Sequence, residues 1–371
     1  MQPAGRCATN ALLNVQREPI ISMTTQREIA RRAKTSLKTV SRVINRDPLV
    51  NAKTRARIEA IVAELGYEPS QAARMMRSQR SNIIGFLADQ VATSASSIDL
   101  VRGAQDAAWE CGKQMMLFNI ERGTPSQDLA DAQLAAFRAE AVVYAAVYHQ
   151  PVELPPSAVP RVLLNCFDPG GGQHAIVPDD YQLAATLMDE VLDRGYRRPA
   201  FLNLNRAIVA SGLRAAGITD AARNRGLDMT GRIHEVVVGR EHHGQPQFIA
   251  DRIVPELMSV SPESRPDVLI CGQDILAMDV YFVLSELRLK VGQHVAVASF
   301  DNREPIASLL KPGLSTMELP YYEMGRAAML AAINPPPAPE TVRLPGKFIE
   351  RGSLQPFHTL ATHRTGSNPN A

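Results

Sequence analysis

The sequence contains few cysteines and no long apolar run, and each shortage excludes a class of protein. Its four cysteines, Cys7, Cys111, Cys166 and Cys271, lack the spacing of metal ligands, so we expect buried reduced thiols and neither a metal nor a cofactor. No apolar run approaches the roughly 20 residues of a membrane-spanning helix, and no signal peptide precedes Thr25. We therefore expect a cytoplasmic protein that does not associate with membranes.

The sequence also lacks the motifs of common enzymes. Only Gly85 follows the first predicted strand, so neither a Gly-x-Gly-x-x-Gly fingerprint nor a Walker A phosphate loop is present. The glycines at 170–172 follow Pro169 and indicate a turn, and His242 and His243 are interpreted as a surface pair. With no paired carboxylates or nucleophile elbow, we predict that the chain is not an enzyme.

Positive charge is concentrated in one short stretch. Between Thr24 and Arg80 there are 13 Lys and Arg against 5 Asp and Glu, a net charge of +8, whereas the whole chain carries +2. The preceding residues add one positive charge, so the residues after Arg80 carry −7. A small basic module joined to an acidic body is typical of a nucleic-acid-binding protein with a regulatory body.

Three helices are predicted at the start of the basic stretch, because each begins with a side chain that can cap it. Thr25 and Glu28 have the spacing of a capping box. Ser36 caps a second helix, whose valines and isoleucine face inward, and Asn51 caps a third, which ends at Gly66. A fourth short helix is expected in the linker that follows.

The outward face of the second helix carries residues that can read DNA bases. Lys38 and Arg42 lie four residues apart and can donate hydrogen bonds to guanine O6 and N7, while Leu37 suits the methyl group of thymine. This pattern predicts a recognition helix that enters the major groove. The alternative is the solvated face of a small helical domain.

The basic stretch contains four motifs that occur together in one protein family. They are Thr39-Val40-Ser41-Arg42-Val43-Ile44-Asn45, Thr54-Arg55, Ala63-Glu64-Leu65-Gly66-Tyr67-Glu68-Pro69 and Ala72-Ala73-Arg74. With these motifs the chain resembles the lactose-repressor/galactose-repressor (LacI/GalR) family of bacterial transcriptional regulators. The resemblance continues to Glu350-Arg351-Gly352-Ser353 and implies a homodimeric repressor that binds double-stranded operator DNA.

The resemblance also implies roles for polar residues of the module. In relatives the positions of Leu37, Lys38 and Arg42 read bases, whereas phosphates are held by the hydroxyls near Ser36 and Thr39 and by the region of Asn45. Further candidate DNA contacts are Thr25, Ser41, Arg74 and Arg77.

A polar linker at 69–81 joins the module to the body and is too short to fold alone. In relatives it becomes a hinge helix only on operator DNA, where it pairs with its dimer mate and inserts an apolar side chain into the minor groove. That position falls on Met76 here. A plain linker is the alternative.

Two residues of the predicted turn depart from the family pattern. Lys34 stands where a glycine is usual, and Thr35 stands where a buried valine is usual. A left-handed conformation at a residue other than glycine costs on the order of 1 kcal/mol. We therefore expect a slightly strained or reshaped turn at Lys34.

From Ile83 onward, short apolar runs alternate with amphipathic helices. This order predicts parallel sheets covered by helices on both faces, with a last strand at Val342 to Ile349. The roughly ten strands are too many for one small sheet, so we expect an α/β body of two subdomains with a cleft between them. The resemblance implies the same periplasmic-binding-protein-like architecture, preceded by a small all-α helix-turn-helix domain.

These patterns predict five segments. They are a disordered arm at 1–22, a helix-turn-helix domain at 23–68, the hinge at 69–81, the two-lobed ligand-binding and dimerisation domain at 82–355 and a disordered tail at 356–371 without a tetramerising coil. The alternative for the arm is an upstream start, with Met23 as the true beginning.

Polar residues that follow the predicted strands suggest a binding site in the cleft. Ligands bind at the carboxyl ends of strands in open α/β sheets, which indicates Asp89, Asn165, Gln273, Asp274 and Asp301. The resemblance to sugar-binding relatives adds Arg214 and implies a carbohydrate effector. Each of these residues can instead be a helix cap, a turn or a strand end, and the same choice is open for Tyr148 and His149.

One loop weakens the match to a sugar site. Residues 93–97 read Thr-Ser-Ala-Ser-Ser where sugar-binding relatives have aromatic residues that enclose a ring. An effector-independent regulator is therefore an alternative. A solute-binding protein without a DNA role is another, although the basic module argues against it.

Overall fold

The computed structural model describes residues 25–45, 47–67, 81–91, 98–157, 159–240 and 246–357, and contacts divide the chain into two units, Met1–Gln79 and Arg80–Ala371. The predicted arm, the hinge candidates Arg74, Met76 and Arg77, and the loop 93–97 lie outside the described residues. In the described ranges, none of the helices combines the length and apolar character needed to cross a membrane.

The described residues of the first unit form three helices whose caps are the predicted ones. The Oγ1 atom of Thr25 accepts a hydrogen bond from the Glu28 amide at 3.4 Å, and the Oγ atom of Ser36 accepts one from Thr39 at 3.1 Å. The Oδ1 atom of Asn51 accepts a third, from Lys53, at 2.9 Å. The helices are α1 (Gln26–Arg32), α2 (Leu37–Ile44) and α3 (Ala52–Glu64).

A small apolar core holds these helices together. Ile29, Val40 and Ile58 are fully buried, one from each helix. Lys34, in the turn between α1 and α2, has a φ of 46°, so the predicted left-handed residue is present in the turn. This conformation disfavours any side chain with a Cβ atom.

The second unit consists of two lobes, each built around one sheet. The sheet of lobe 1 is parallel, in the order β13-β5-β4-β3-β1-β2. Its strands are β1 (Ile83–Asp89), β2 (Gln114–Ile120), β3 (Ala141–Pro151), β4 (Arg161–Phe167), β5 (His174–Pro178) and β13 (Thr341–Leu344), and its helices are α4 (Ile98–Glu110), α5 (Pro125–Ala136) and α11 (Tyr321–Ile333).

Lobe 2 has a sheet in the order β14-β12-β11-β10-β6-β7, parallel except for the edge strand β14. Its strands are β6 (Pro199–Asn203), β7 (Ile233–Glu235), β10 (Val268–Cys271), β11 (Ala296–Asp301), β12 (Ser315–Glu318) and β14 (Lys347–Ile349), with a separate hairpin of β8 (Val237–Arg240) and β9 (Pro246–Phe248). Its helices are α6 (Asp180–Asp193), α7 (Val209–Asn224), α8 (Ala250–Met258), α9 (Asp274–Glu286) and α10 (Ile306–Leu309). The predicted two-lobed α/β body with parallel sheets is confirmed.

Three connections carry the described chain between the lobes, and one of them corrects a prediction. The single strand expected at 342–349 is two strands, one in each sheet, because the chain crosses at Gly346. A Cβ atom at Gly346 would lie 2.0 Å from the carbonyl oxygen of Glu318, so only glycine fits this crossing. The other crossings lie between β5 and α6 and between β12 and α11.

The described chain extends to Phe357, two residues into the predicted tail at 356–371. Phe357 packs edge-on against Tyr196 with ring centroids 5.5 Å apart, and its amide donates to the carbonyl of Arg194. Apolar burial of an aromatic ring holds this residue in place. Residues 358–371 lie outside the described part.

Candidate DNA-binding surface and effector cleft

The outward face of α2 carries the predicted recognition residues. Leu37 is 45% exposed and Lys38 is also exposed, whereas Val40 and Val43 on the opposite face are buried. Leu37 is not part of the buried apolar core formed by the described helices of this unit. This geometry leaves both side chains available to DNA.

The candidate phosphate contacts also have local roles. The hydroxyls of Ser36 and Thr39 lie 2.9 Å apart at the start of α2, and Asn45 donates to the Ser41 hydroxyl at 3.5 Å. Thr25 caps α1. The hydroxyls of Thr25, Ser36 and Thr39 lie at the two helix starts, where partial positive charge favours phosphate, whereas Asn45 follows the end of α2.

Arg42 has a partner that was not predicted. Its Nε atom donates to the Oδ2 atom of Asp47 at 2.7 Å, in the loop after α2. The Arg42 guanidinium lowers the pKa of the Asp47 carboxyl, and the amide of Leu49 adds to this effect. Asp47 therefore places a negatively charged side chain next to the predicted recognition helix.

In the body, a buried ion pair lies at the carboxyl ends of the lobe 2 strands. Arg214, on α7, is 4% exposed and donates from Nε to the Oδ1 atom of Asp180 at 2.8 Å. Its Nη1 atom donates to the carbonyl of Gly272 at 2.6 Å, and its guanidinium lies 4.6 Å from the ring centroid of Phe300. The predicted arginine is thus held by its own chain.

The same carboxylate reaches lobe 1. The Oδ2 atom of Asp180 lies 2.8 Å from the Nδ1 atom of His149, on β3. Burial opposes charge on Asp180, but the charge of Arg214 and the bond with His149 are stronger, so the pKa of Asp180 is lowered. Because a carboxylate can only accept, His149 must carry its proton on Nδ1. His149, Asp180 and Arg214 therefore form a network across the two lobes.

Asp301 lies at the end of β11 with a φ of 117°. Burial and the negative charge of Asp274 raise the pKa of Asp301 to about 7, although Arg214 and Arg303 act in the opposite direction. Any group that donates a hydrogen bond to this carboxylate would stabilise its charged form.

Asp301 lines a cavity of about 530 Å³ between the lobes, together with Tyr321 and residues of α4. Tyr321 packs against the apolar cores of both lobes. Burial raises the pKa of its hydroxyl well above the usual value, and the charge of Asp301 adds to the rise. Tyr321 supplies an aromatic face that was not among the predicted site residues.

Two predicted ligand residues, Asp274 and Asn165, form their hydrogen bonds within their own lobes. Asp274 is fully buried and accepts from the Arg303 amide at 2.7 Å and from the Thr316 hydroxyl at 2.8 Å. Burial raises the pKa of Asp274 to about 6. Asn165 is 2% exposed, has a φ of 57° and donates to the carbonyl of Ala146 at 3.0 Å. Both support the backbone near the cleft.

Two further predicted ligand residues, Asp89 and Gln273, do not line the cavity beside Asp301. Asp89 is 6% exposed and accepts from the Tyr144 hydroxyl at 2.8 Å and from the Arg122 amide at 3.3 Å. It lines a cavity of about 180 Å³ in lobe 1, which also contains Tyr148. Gln273 is half-buried just before α9, with no side-chain capping bond.

Two family models match the chain. Residues 25–70 match the model described as "Bacterial regulatory proteins, lacI family", and residues 188–354 match "Periplasmic binding protein-like domain". The sucrose operon repressor of Escherichia coli is 31% identical over 338 residues, covering 89% of this chain and all of the relative. The ribose operon repressor of E. coli strain K12 is 30% identical over 341 residues, with the same coverage.

Solved structures share this fold. The lac repressor dimer bound to operator and an anti-inducer matches with a TM-score of 0.71 and 20% identity over 90% of this chain and 99% of that one. A complex of the transcriptional regulator CelR with cellobiose matches with a TM-score of 0.60 and 20% identity over 89% of this chain and 99% of that one.

Proposed function

Because the chain belongs to the lacI family of bacterial regulatory proteins, it is a DNA-binding transcriptional regulator and not an enzyme, and we propose that a neutral sugar controls its operator affinity. Two copies would bind a pseudo-palindromic operator through α2, with Lys38 and Arg42 reading bases. Since operator DNA is in the bacterial cytoplasm, we place the protein there too.

The observation that carries the proposed effector class is the internal pairing of Arg214. The carboxylate of Asp180 neutralises the charge of Arg214, and the carbonyl of Gly272 accepts a hydrogen bond from its Nη1 atom. The buried arginine therefore presents no uncompensated positive charge to a ligand. A neutral molecule fits such a site better than an anion, since an anion would meet Asp180 as well.

The charged side chains that line the cavity beside Asp301 also favour a neutral effector. Among the described residues that line it, five are carboxylates and three are cations. Two of these cations are already paired: Lys347 with Glu318 at 2.8 Å and Arg102 with Asp99 at 3.3 Å. This surplus of acids disfavours phosphate esters and suits hydroxyl groups, which donate to carboxylates.

The size and shape of the cavity suit a small saccharide. Pockets for small ligands hold about 300–1,000 Å³, and this cavity has about 530 Å³. Tyr321 provides an apolar face and Asp301 an acceptor. The sucrose and ribose operon repressors, both similar to this chain, bear the names of sugars.

Calorimetry can test this proposal directly. The full-length protein is titrated with neutral mono- and disaccharides and, in parallel, with phosphate esters of the same sugars. We expect at least one neutral sugar to bind and its phosphate ester to bind at least tenfold more weakly.

Asp301→Asn should weaken that sugar by about ten- to a hundredfold, since a hydrogen bond to a charged group contributes about 1.5–3 kcal/mol. Asp251→Asn, on the exposed start of α8, is the matched control. Tighter binding of the phosphate esters would contradict the neutral class. Absence of binding by every sugar would favour the effector-independent regulator, in which Asp180 permanently occupies Arg214.

A further inference from the structure

The loop after α2 holds one aspartate in a fixed position. The amide of Asp47 donates to the Arg42 carbonyl at 2.9 Å, and its own carbonyl accepts from Arg55 Nη2 at 2.6 Å. Its Oδ1 atom accepts from the Leu49 amide at 3.0 Å, an Asx-type turn. Backbone and side chain are both fixed, so the remaining oxygen, Oδ2, points in a set direction.

That remaining oxygen orients Arg42. It accepts from Nε at 2.7 Å, and no other hydrogen bond of the Arg42 side chain occurs within the described residues. The two Nη groups therefore keep their N–H donors. Reading a guanine takes two parallel N–H donors directed at O6 and N7, which is the pair that this arrangement leaves available.

We propose that Asp47 is a positioning residue for base recognition: it holds the Arg42 guanidinium so that its Nη groups meet a base edge rather than a phosphate. This inference rests on the proposed role of Arg42 as a base-reading residue. A long arginine side chain has many rotamers, and a carboxylate that restricts them removes alternatives in which the cation binds the DNA backbone.

The negative charge of Asp47 adds a second effect. A carboxylate next to the DNA-facing helix repels phosphates, and phosphate contacts supply most non-specific affinity. Asp47 thus lowers affinity for random DNA while it aligns the residue that reads sequence. Loss of Asp47 should therefore change the ratio of specific to non-specific binding more than it changes either fold or total affinity.

The variant that isolates this role is Asp47→Asn. The amide keeps an oxygen for the Leu49 bond and leaves both backbone bonds intact, but its NH₂ group cannot accept from Arg42. Glu59→Gln is the matched control, because Glu59 lies exposed on α3 and its loss changes the net charge equally without touching Arg42.

The experiment uses the full-length protein and a duplex selected by the wild type from a random-sequence library. Dissociation constants are measured for this duplex, for each of its single-base-pair variants and for a random duplex, over a range of salt concentrations. The proteins are the wild type, Asp47→Asn, Arg42→Ala, the double variant and Glu59→Gln.

We expect Arg42→Ala to lose about tenfold discrimination at particular base pairs, in line with the usual value of a bidentate base contact. Asp47→Asn should lose discrimination at the same base pairs, bind random DNA as tightly or more tightly, and add nothing in the double variant. Glu59→Gln should keep the wild-type preference at every base pair.

Two results would overturn the role of Asp47: unchanged discrimination in Asp47→Asn while Arg42→Ala loses it, or loss at different base pairs that adds to the Arg42→Ala loss. If Arg42→Ala itself keeps full discrimination, then the base-reading role of Arg42 is wrong and the positioning role falls with it. Because each variant is measured separately, these failures are distinguishable.

Discussion

Two arginine–aspartate pairs in this protein have the same chemistry and very different surroundings. In the DNA-binding unit, the side chains of Arg42 and Asp47 are 39% and 29% exposed. In the cleft, those of Arg214 and Asp180 are 5% and 0% exposed. Water screens the first pair, so this pair contributes little to stability. Its proposed role is to orient the guanidinium of Arg42. The second pair is surrounded by protein, so removing one partner leaves a charge without solvent.

The largest expected effect comes from breaking the buried pair. Arg214→Ala should lower the free energy of unfolding by about 3–5 kcal/mol, because Asp180 remains buried without its partner. Arg42→Ala is the matched variant in the other unit and should leave the unfolding midpoint nearly unchanged. Urea denaturation of both variants measures the difference.

A double variant refines this test. Replacing both Arg214 and Asp180 by apolar residues, Arg214→Met with Asp180→Leu, should be less destabilising than Arg214→Ala alone, because neither partner of the pair is left as an unpaired buried charge. Equal unfolding midpoints for Arg214→Ala and the wild type would mean that the pair is open to water and that the comparison is wrong.

The next effect is on the pH dependence of stability, to which Asp301 in the body and Asp47 in the DNA-binding unit contribute with opposite sign. The folded-state pKa of Asp301 is raised to about 7 from an ordinary value of 3.8. Between these values the unfolded chain has lost the proton that the folded chain keeps, so Asp301 lowers stability as the pH rises. Asp47 has a lowered pKa and the opposite sign.

Asp301→Asn should therefore raise the melting temperature at pH 8 by at least about 2–4 °C, which corresponds to roughly 1 kcal/mol for a domain of this size. At pH 4 the variant and the wild type should melt together, since the wild-type carboxyl is then protonated in the folded state. A constant difference across the pH range would show that Asp301 acts through packing instead of ionisation.

The contrast between these units also explains what the sequence could predict. Thr25, Ser36 and Asn51 were identified correctly because a helix cap is a local signal, read within three residues. Asp301 and Arg214 were nominated from the strand-end rule and from the family resemblance. The roles of these site residues stay predictions until ligand and DNA are tested.

The network partners were harder to foresee for a physical reason. Asp180 reads as an ordinary acid at a helix start, and its contacts with His149 and Arg214 depend on the crossing between β5 and α6. Tyr321 also depends on a crossing. The strand at 342–349 was wrong for the same reason, since β13 and β14 pair with strands far away in the sequence.

A third prediction concerns Met76, which lies outside the described residues. If it acts as a wedge in the minor groove, Met76→Ala should weaken binding to the selected operator by about tenfold. Binding to random DNA and its salt dependence should stay the same, because these depend on phosphate contacts. Equal loss on both duplexes, measured by fluorescence anisotropy, would contradict the wedge.

The smallest expected effect compares one left-handed residue in each unit. Lys34 has a φ of 46°, and Arg288, just after α9, has a φ of 55°. Glycine at either position removes strain of about 1 kcal/mol, so Lys34→Gly and Arg288→Gly should each stabilise their own unit modestly. Hydrogen exchange resolves the two units, and slower exchange in the wrong unit would refute the assignment.

A neutral sugar and operator DNA should bind to this protein with linked free energies. The most direct test measures the affinity of the bound sugar for the free protein and for the protein–operator complex, alongside operator affinity with and without that sugar. We predict that the sugar changes operator affinity and that the operator changes sugar affinity by the same factor. Sugar binding that leaves operator affinity unchanged would contradict this linkage between the two sites.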